Sequence, residues 1–225
     1  MRFPNAAKGI SKLFTSEILS LFALLVLSVS GVIYYATPSL KDYLANETKT
    51  FPKTEATVCA IFAGIALIML IIAAIIKIVG IVQAAKDEGA FVAVIYVTIM
   101  AIVVSVVISI MSGKYHSEMA TGFSNTISNI MSLLTTFLVI GGISNLADQL
   151  GDQEIIAKGA SIIRKIFWML VLSVIANIII TFTHGSEGFW TKTAVVLAII
   201  AGLLSFIAYV LYLAYLVKAK KMLQK

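Results

Sequence analysis

Residues 56–82 read ATVCAIFAGIALIMLIIAAIIKIVGIV, a run of 27 positions carrying one charge, Lys77. An α-helix rises about 1.5 Å per residue and the hydrocarbon core of a bilayer is about 30 Å thick, so about 20 such residues reach across it. In that medium the backbone must satisfy its own hydrogen bonds, which a helix does and an isolated strand does not. Working outward, five further stretches qualify: Ser16–Ala36, Phe91–Met111, Thr126–Leu146, Ile166–Thr183 and Ala194–Val217. Thr126–Leu146, the fourth span in chain order, is the least apolar. The expected fold is all-α: a polytopic integral membrane protein, a single transmembrane domain over residues 1–225, with six transmembrane helices arranged as three helical hairpins.

Composition agrees. Of 225 residues, 60% are hydrophobic and 12% charged, and the mean hydropathy is +1.02. A soluble domain is about 45–50% apolar and about 25% charged, and its polar residues must cover its surface. This chain has too few, which excludes a soluble enzyme, a secreted module and a disordered tail. Its one cysteine, Cys59, excludes an intrachain disulfide and a cysteine-based metal site. The net charge of +6 comes from basic residues that flank apolar segments, without interleaved aromatics on a polar stretch, so nucleic acid is not an expected partner. Membrane lipids are, and so are other membrane proteins or a second copy of the chain.

Six spans put both termini on one side, and lysine and arginine decide which. One face holds Arg2, Lys8, Lys12, Lys77, Lys86, Lys158, Arg164, Lys165, Lys218, Lys220, Lys221 and Lys225, 12 in all; the other holds 5, Lys41, Lys49, Lys53, Lys114 and Lys192. The richer face is expected in the cytoplasm, and the chain in the plasma membrane with both termini inside. Tyr34, Tyr35, Phe189 and Trp190 would mark the outer interface; Trp168, Tyr212 and Tyr215 the inner one. The first span is too long for the apolar region of a signal peptide, and its end, Tyr34-Tyr35-Ala36, lacks the small-x-small cleavage pattern. Lys8–Phe14 and Glu154–Lys165 mix apolar and basic residues. They read equally as interfacial helices or as cytoplasmic extensions of spans 1 and 5.

An internal repeat is legible. Ala56-Thr-Val58-Cys-Ala60-Ile61-Phe-Ala63-Gly64 and Ala194-Val-Val196-Leu-Ala198-Ile199-Ile-Ala201-Gly202 agree at six of nine positions. Ala7-Lys8-Gly9-Ile10-Ser11 is echoed by Ala157-Lys158-Gly159-Ala160-Ser161 and, more weakly, by Ala85-Lys86-Asp87-Glu88-Gly89. The implied units are hairpins at 7–84, 85–156 and 157–225.

Three features are candidate sites. Span 4 carries Asn125, Ser128, Asn129, Ser132, Thr135, Thr136, Gly142 and Asn145. Most fall on one helical stripe that is too polar to face lipid and so lines a path or forms a packing seam. Ala60, Ala63 and Gly64 in span 2, with Ala198, Ala201 and Gly202 in span 6, are small-residue faces suited to close helix contact. Lys77 is the intramembrane charge, expected to snorkel to the inner interface. Glu17, at the mouth of span 1, can pair with Lys12 or Lys8, and Asn177 suits an interhelical hydrogen bond.

His116 and His184 fall in outer loops without metal-ligand spacing, and Asn46-Glu47-Thr48 is a glycosylation sequon only in a eukaryotic source. No Asp or Glu lies deep in a span and no phosphate-cradling glycine loop occurs, so neither catalysis nor a cofactor or metal is expected. All three prolines lie outside the spans. The reading that follows is a small scaffold or accessory subunit acting through helix packing with protein or lipid partners. The alternative is a small-solute or ion transporter or channel with span 4 lining the path.

Overall fold

The computed structural model describes residues 2–37, 53–115, 118–183 and 189–224. Among them every regular element is a helix: α1 Pro4–Ala36, α2 Lys53–Ala84, α3 Ala90–Tyr115, α4 Glu118–Gln149, α5 Gln153–Thr183 and α6 Phe189–Gln224. Each predicted span lies inside one of them. The helices have 26 to 36 residues, about 39 to 54 Å at 1.5 Å per residue, so each outruns a bilayer core. Lys8–Phe14 and Glu154–Lys165 are unbroken parts of α1 and α5, not separate helices. Over the described residues, four stretches are long and apolar enough to cross a membrane: Pro4–Ile33, Ala56–Ala84, Ile130–Gln149 and Val195–Gln224. The apolar stretch of α3 described there, Ala90–Ala101, is shorter.

The chain divides into two units, Ser11–Gly80 and Met1–Ile10 with Ile81–Lys225. In the first, most of α1 runs antiparallel to most of α2: Glu17 meets Lys77 and, further along α1, Ser30 meets Cys59. Ser16, Ala23 and Ser30 recur every seven residues and are buried; Cys59, Ala66, Ala73 and Gly80 recur at the same interval, the last three buried. Seven-residue spacing keeps a seam turned toward its partner as two helices supercoil, and small side chains bring the backbones close. Most other positions of α2 point outward, Ile61, Leu67, Ile68 and Ile75 each more than half exposed.

The second unit packs differently. Its buried residues gather where the short connections lie: Ala6, Ala7 and Ile10 of α1, Ile81 and Ala84 of α2, Phe91 and Val94 of α3, Val139 to Ala147 of α4, Ile155 to Ile166 of α5, and Ala208 to Leu223 of α6. On α6 the buried positions Ala208, Tyr212, Tyr215, Ala219 and Met222 alternate steps of four and three, the coiled-coil spacing. α4 and α5 are joined by Leu150, Gly151 and Asp152 alone. The Asp152 N–H donates to the Ala147 carbonyl (2.9 Å) and the Gly151 N–H to that of Asp148 (3.0 Å), a Schellman termination. It needs a left-handed residue, and Gly151 supplies it with φ 73°. Asp152 then caps α5 by accepting from the Ile155 N–H at 3.2 Å. Three residues thus close one helix and open the next.

Candidate functional site

The α4 stripe does not behave as one surface. The side chains of Asn125, Ser128 and Asn129 lie outside the described residues. From there on, Ser132 is exposed and Thr135 buried. The Thr135 hydroxyl donates to the Met131 carbonyl and that of Thr136 to Ser132, both at 3.0 Å. These bonds to the preceding turn satisfy a hydroxyl without water or a partner helix. Gly142 lies against Phe91 of α3: a Cβ there would come within 2.8 Å of the ring. Asn145 donates through Nδ2 to Glu88 at 3.3 Å.

Glu88 is where several elements meet. Its Oε1 also accepts from the Ala90 N–H at the start of α3 (3.2 Å), and its Oε2 from Gln149 Nε2 (3.2 Å). Asp87 does the same for α1, taking the Asn5 and Ala6 N–H groups on Oδ2 and Asn5 Nδ2 on Oδ1, all at 2.8 Å. Pro4, with no N–H to satisfy, opens that helix. Arg2 donates to the Gln149 carbonyl at 3.0 Å, at the end of α4. Each charge matches a helix end: carboxylates sit at two amino termini and a guanidinium at a carboxyl terminus. The result is a network of Arg2, Asn5, Asp87, Glu88, Asn145 and Gln149 that fixes the ends of three helices.

Beside it, Gly159 of α5 admits α4 and α6 at close range. A Cβ at Gly159 would lie 2.9 Å from Ser144 Oγ and 3.0 Å from both Ile140 Cγ2 and the Tyr215 hydroxyl. That hydroxyl lies 3.3 Å from Ser144 Oγ and donates to the Ile140 carbonyl at 3.4 Å. Tyr212 and Tyr215, expected as interface anchors, are instead buried core residues. Trp168 is 57% exposed and fits the interface reading better.

The small-residue faces also need correction. Ala60 and Gly202 are exposed, and a Cβ added at Gly64 or Gly202 would meet nothing within 4 Å. Ala63 is half-buried, Ala201 is buried, and the Ala198 side chain lies outside the described residues. Gly142 and Gly159 are crowded instead, and the inward-facing small residues of α2 follow the other phase, through Ala66 and Ala73.

Lys77 is paired. Its Nζ lies 2.8 Å from Glu17 Oε1, and the Glu17 side chain is 11% exposed. The carboxylate thus partners a residue of the facing helix. Further along the same seam, Ser30 Oγ donates to the Cys59 carbonyl at 3.1 Å and sits 2.8 Å from Cys59 Sγ. At the start of α5, Glu154 pairs with Lys158 one turn on and with Lys218 of α6, the latter at 3.2 Å. Hydrogen bonds from Lys158 and then Lys218 hold its carboxyl below the usual glutamate range, and the bond to Glu154 raises Lys158.

Among the described residues no three of His, Cys, Asp and Glu gather in a metal-ligand group. His116, His184 and the Asn177 side chain lie outside them. Sequence reasoning passed over the roles of Asp87, Glu88 and Ser144. The signal for Asp87 and Glu88 was acidic residues just ahead of an apolar run, a capping pattern. Compared with known proteins, the chain matches no protein family, no curated protein and no solved structure.

Proposed function

We propose that this chain is a small multi-pass scaffold or accessory subunit of the plasma membrane, acting through contact with protein or lipid partners and not by catalysis. In this reading all six helices cross the bilayer as three hairpins that enter from the cytoplasm, where both termini lie. The 12-to-5 distribution of basic residues supports that orientation.

The observation that carries the reading is the fate of the polar groups on α4. From Thr135 to Gln149 they bond to the helix's own backbone, to Glu88 or to Tyr215, and Gly142 receives a phenyl ring. Groups so engaged favour a packed seam over the wet wall of a path. The outward surfaces of α2, α3 and α6 are broad and apolar, available to lipid or to a partner's helices.

Thr135 tests it. As part of a seam, Thr135→Leu overpacks, with an expected loss of about 1–3 kcal/mol, and lowers the unfolding temperature in detergent. Thr135→Ala stays near neutral, because intramembrane hydrogen bonds of this kind average about 0.6 kcal/mol. A Thr135→Leu protein as stable as the parent, with altered solute flux in reconstituted vesicles, would replace the scaffold reading with a path through α4.

A further inference from the structure

The basic residues at the start of α5 fall into two groups. Lys158 is tied to Glu154, which also holds Lys218. Arg164 and Lys165 lie six and seven residues beyond Lys158, about 10 Å up the helix. Both are exposed, and among the described residues neither has an ion-pair partner. Lys165 Nζ donates to Ser161 Oγ at 2.9 Å.

One turn beyond stands Trp168, exposed and edge-to-face with Phe167 at 6.1 Å between ring centroids. Ser161, Arg164, Lys165 and Trp168 are spaced by three, one and three residues, so they share one outward face of α5. Toward the start of the helix that face continues with exposed Ala157 and Ala160, too small to screen the cations. From Lys165 to Thr183 is 18 residues, about 27 Å, close to the thickness of the hydrocarbon core. If α5 crosses the bilayer, the two cations stand level with the phosphates of one leaflet and the indole with the acyl-chain boundary, where tryptophan is favoured.

We propose that Ser161, Arg164, Lys165 and Trp168 form a binding site for the head group of an anionic phospholipid in the cytoplasmic leaflet. The cations take the phosphate, the Ser161 hydroxyl donates to it once Lys165 Nζ turns to the ligand, and the indole packs on the glycerol and upper chain. A net negative head group fits two uncompensated cations; a zwitterionic one brings its own positive charge against them. The proposal rests on the membrane-crossing reading of α5.

The test uses the full chain with Trp190→Phe, leaving Trp168 as its one tryptophan, in vesicles of phosphatidylcholine with phosphatidylglycerol. Brominated acyl chains quench a tryptophan that they touch. Brominating one lipid and then the other gives the relative affinity at Trp168. Expected is a preference for phosphatidylglycerol of about fivefold per cation at low salt, falling to near unity in Arg164→Gln/Lys165→Gln. It should persist in Lys220→Gln/Lys221→Gln and with soluble glycerophosphate present. Circular dichroism checks that the variants remain helical. Equal loss in both double variants would mean diffuse surface charge and overturn the site. Loss on adding glycerophosphate would make the ligand a free phosphate and overturn it as a lipid site. Absence of quenching by either brominated lipid would instead overturn the membrane placement of α5 on which the site depends.

Discussion

The unit of residues 11–80 and the unit built on residues 81–225 hold helices together by opposite means. In the first, two serines and an alanine on α1, and on α2 a cysteine, two alanines and a glycine, recur every seven residues, and an ion pair bridges the seam. In the second, Phe91, Tyr215, Leu146, Ile143 and other bulky side chains interlock near short, capped connections. Small residues let long helices lie close along their length without specifying much. Large ones fit only one way, and they stand where the connections already limit movement. The comparison teaches that in this chain specificity is concentrated near the turns and tolerance lies along the shafts.

The largest test is Gly159→Val. Its Cβ has no free space between Ser144, Ile140 and Tyr215, and the two added methyls must displace α4 or α6. The expected loss is about 3 kcal/mol, at the upper end of ordinary overpacking, read as a fall in the unfolding temperature in detergent. Gly64→Val and Gly202→Val, with nothing within 4 Å, should unfold like the parent. Equal damage at all three glycines would erase the distinction between crowded and open positions.

Next is the ion pair. Glu17→Gln leaves the Lys77 ammonium unpaired beside an apolar seam. Losing one partner of a fully buried pair costs about 3–5 kcal/mol. The Lys77 side chain is 36% exposed, so the expectation is roughly 1–2 kcal/mol after screening. The double variant Glu17→Leu/Lys77→Met should recover most of that, since apolar replacement of a buried pair is often neutral. Failure of the double variant to recover would mean that the pair does more than hold two helices in register.

The sequence made the apolar runs, and hence the helices, easy to read, because 20-odd apolar residues have few other uses. It did not disclose which face of each helix turns inward. Residues such as Ile65, Leu67, Ile68, Ile71 and Ile72 make α2 apolar all round, so amphipathic periodicity, the usual indicator, is silent. The heptad of Cys59, Ala66, Ala73 and Gly80 was present, but Ala60, Ala63 and Gly64 were denser and drew attention to the wrong phase. Glu17 and Lys77 were both conspicuous charges. Sixty residues apart, they could be joined only once the register of the hairpin was known. On α4 the stripe was visible, yet spacing alone could not show that Ser132 turns outward and Thr135 inward. Tyr215 looked like an interface anchor because tyrosine is common there; the seam of α6 takes it inside.

The smallest effect is expected at Glu154, which is exposed. Its carboxyl sits below its ordinary range because Lys158 and Lys218 favour the charged form. The tie between α5 and α6 is therefore fully present at neutral pH. It is lost as pH falls from the usual glutamate range through the lowered value. The raised Lys158 keeps its own pair with Glu154, within α5, until pH exceeds the usual lysine range. Glu154→Gln should remove the acid-side dependence from a pH series of unfolding temperatures while changing the neutral value little. A parent protein with no such dependence would assign the link between these helices entirely to their apolar contacts.

The connection of Leu150, Gly151 and Asp152 has a mechanical consequence. Its hydrogen bonds leave no slack: Asp152 is bonded backward to α4 through its N–H and forward to α5 through its carboxylate. Neither helix can slide along its axis or rotate without dragging the other. The two ends therefore resist moving independently, and a displacement at the start of α5 is passed on to the end of α4.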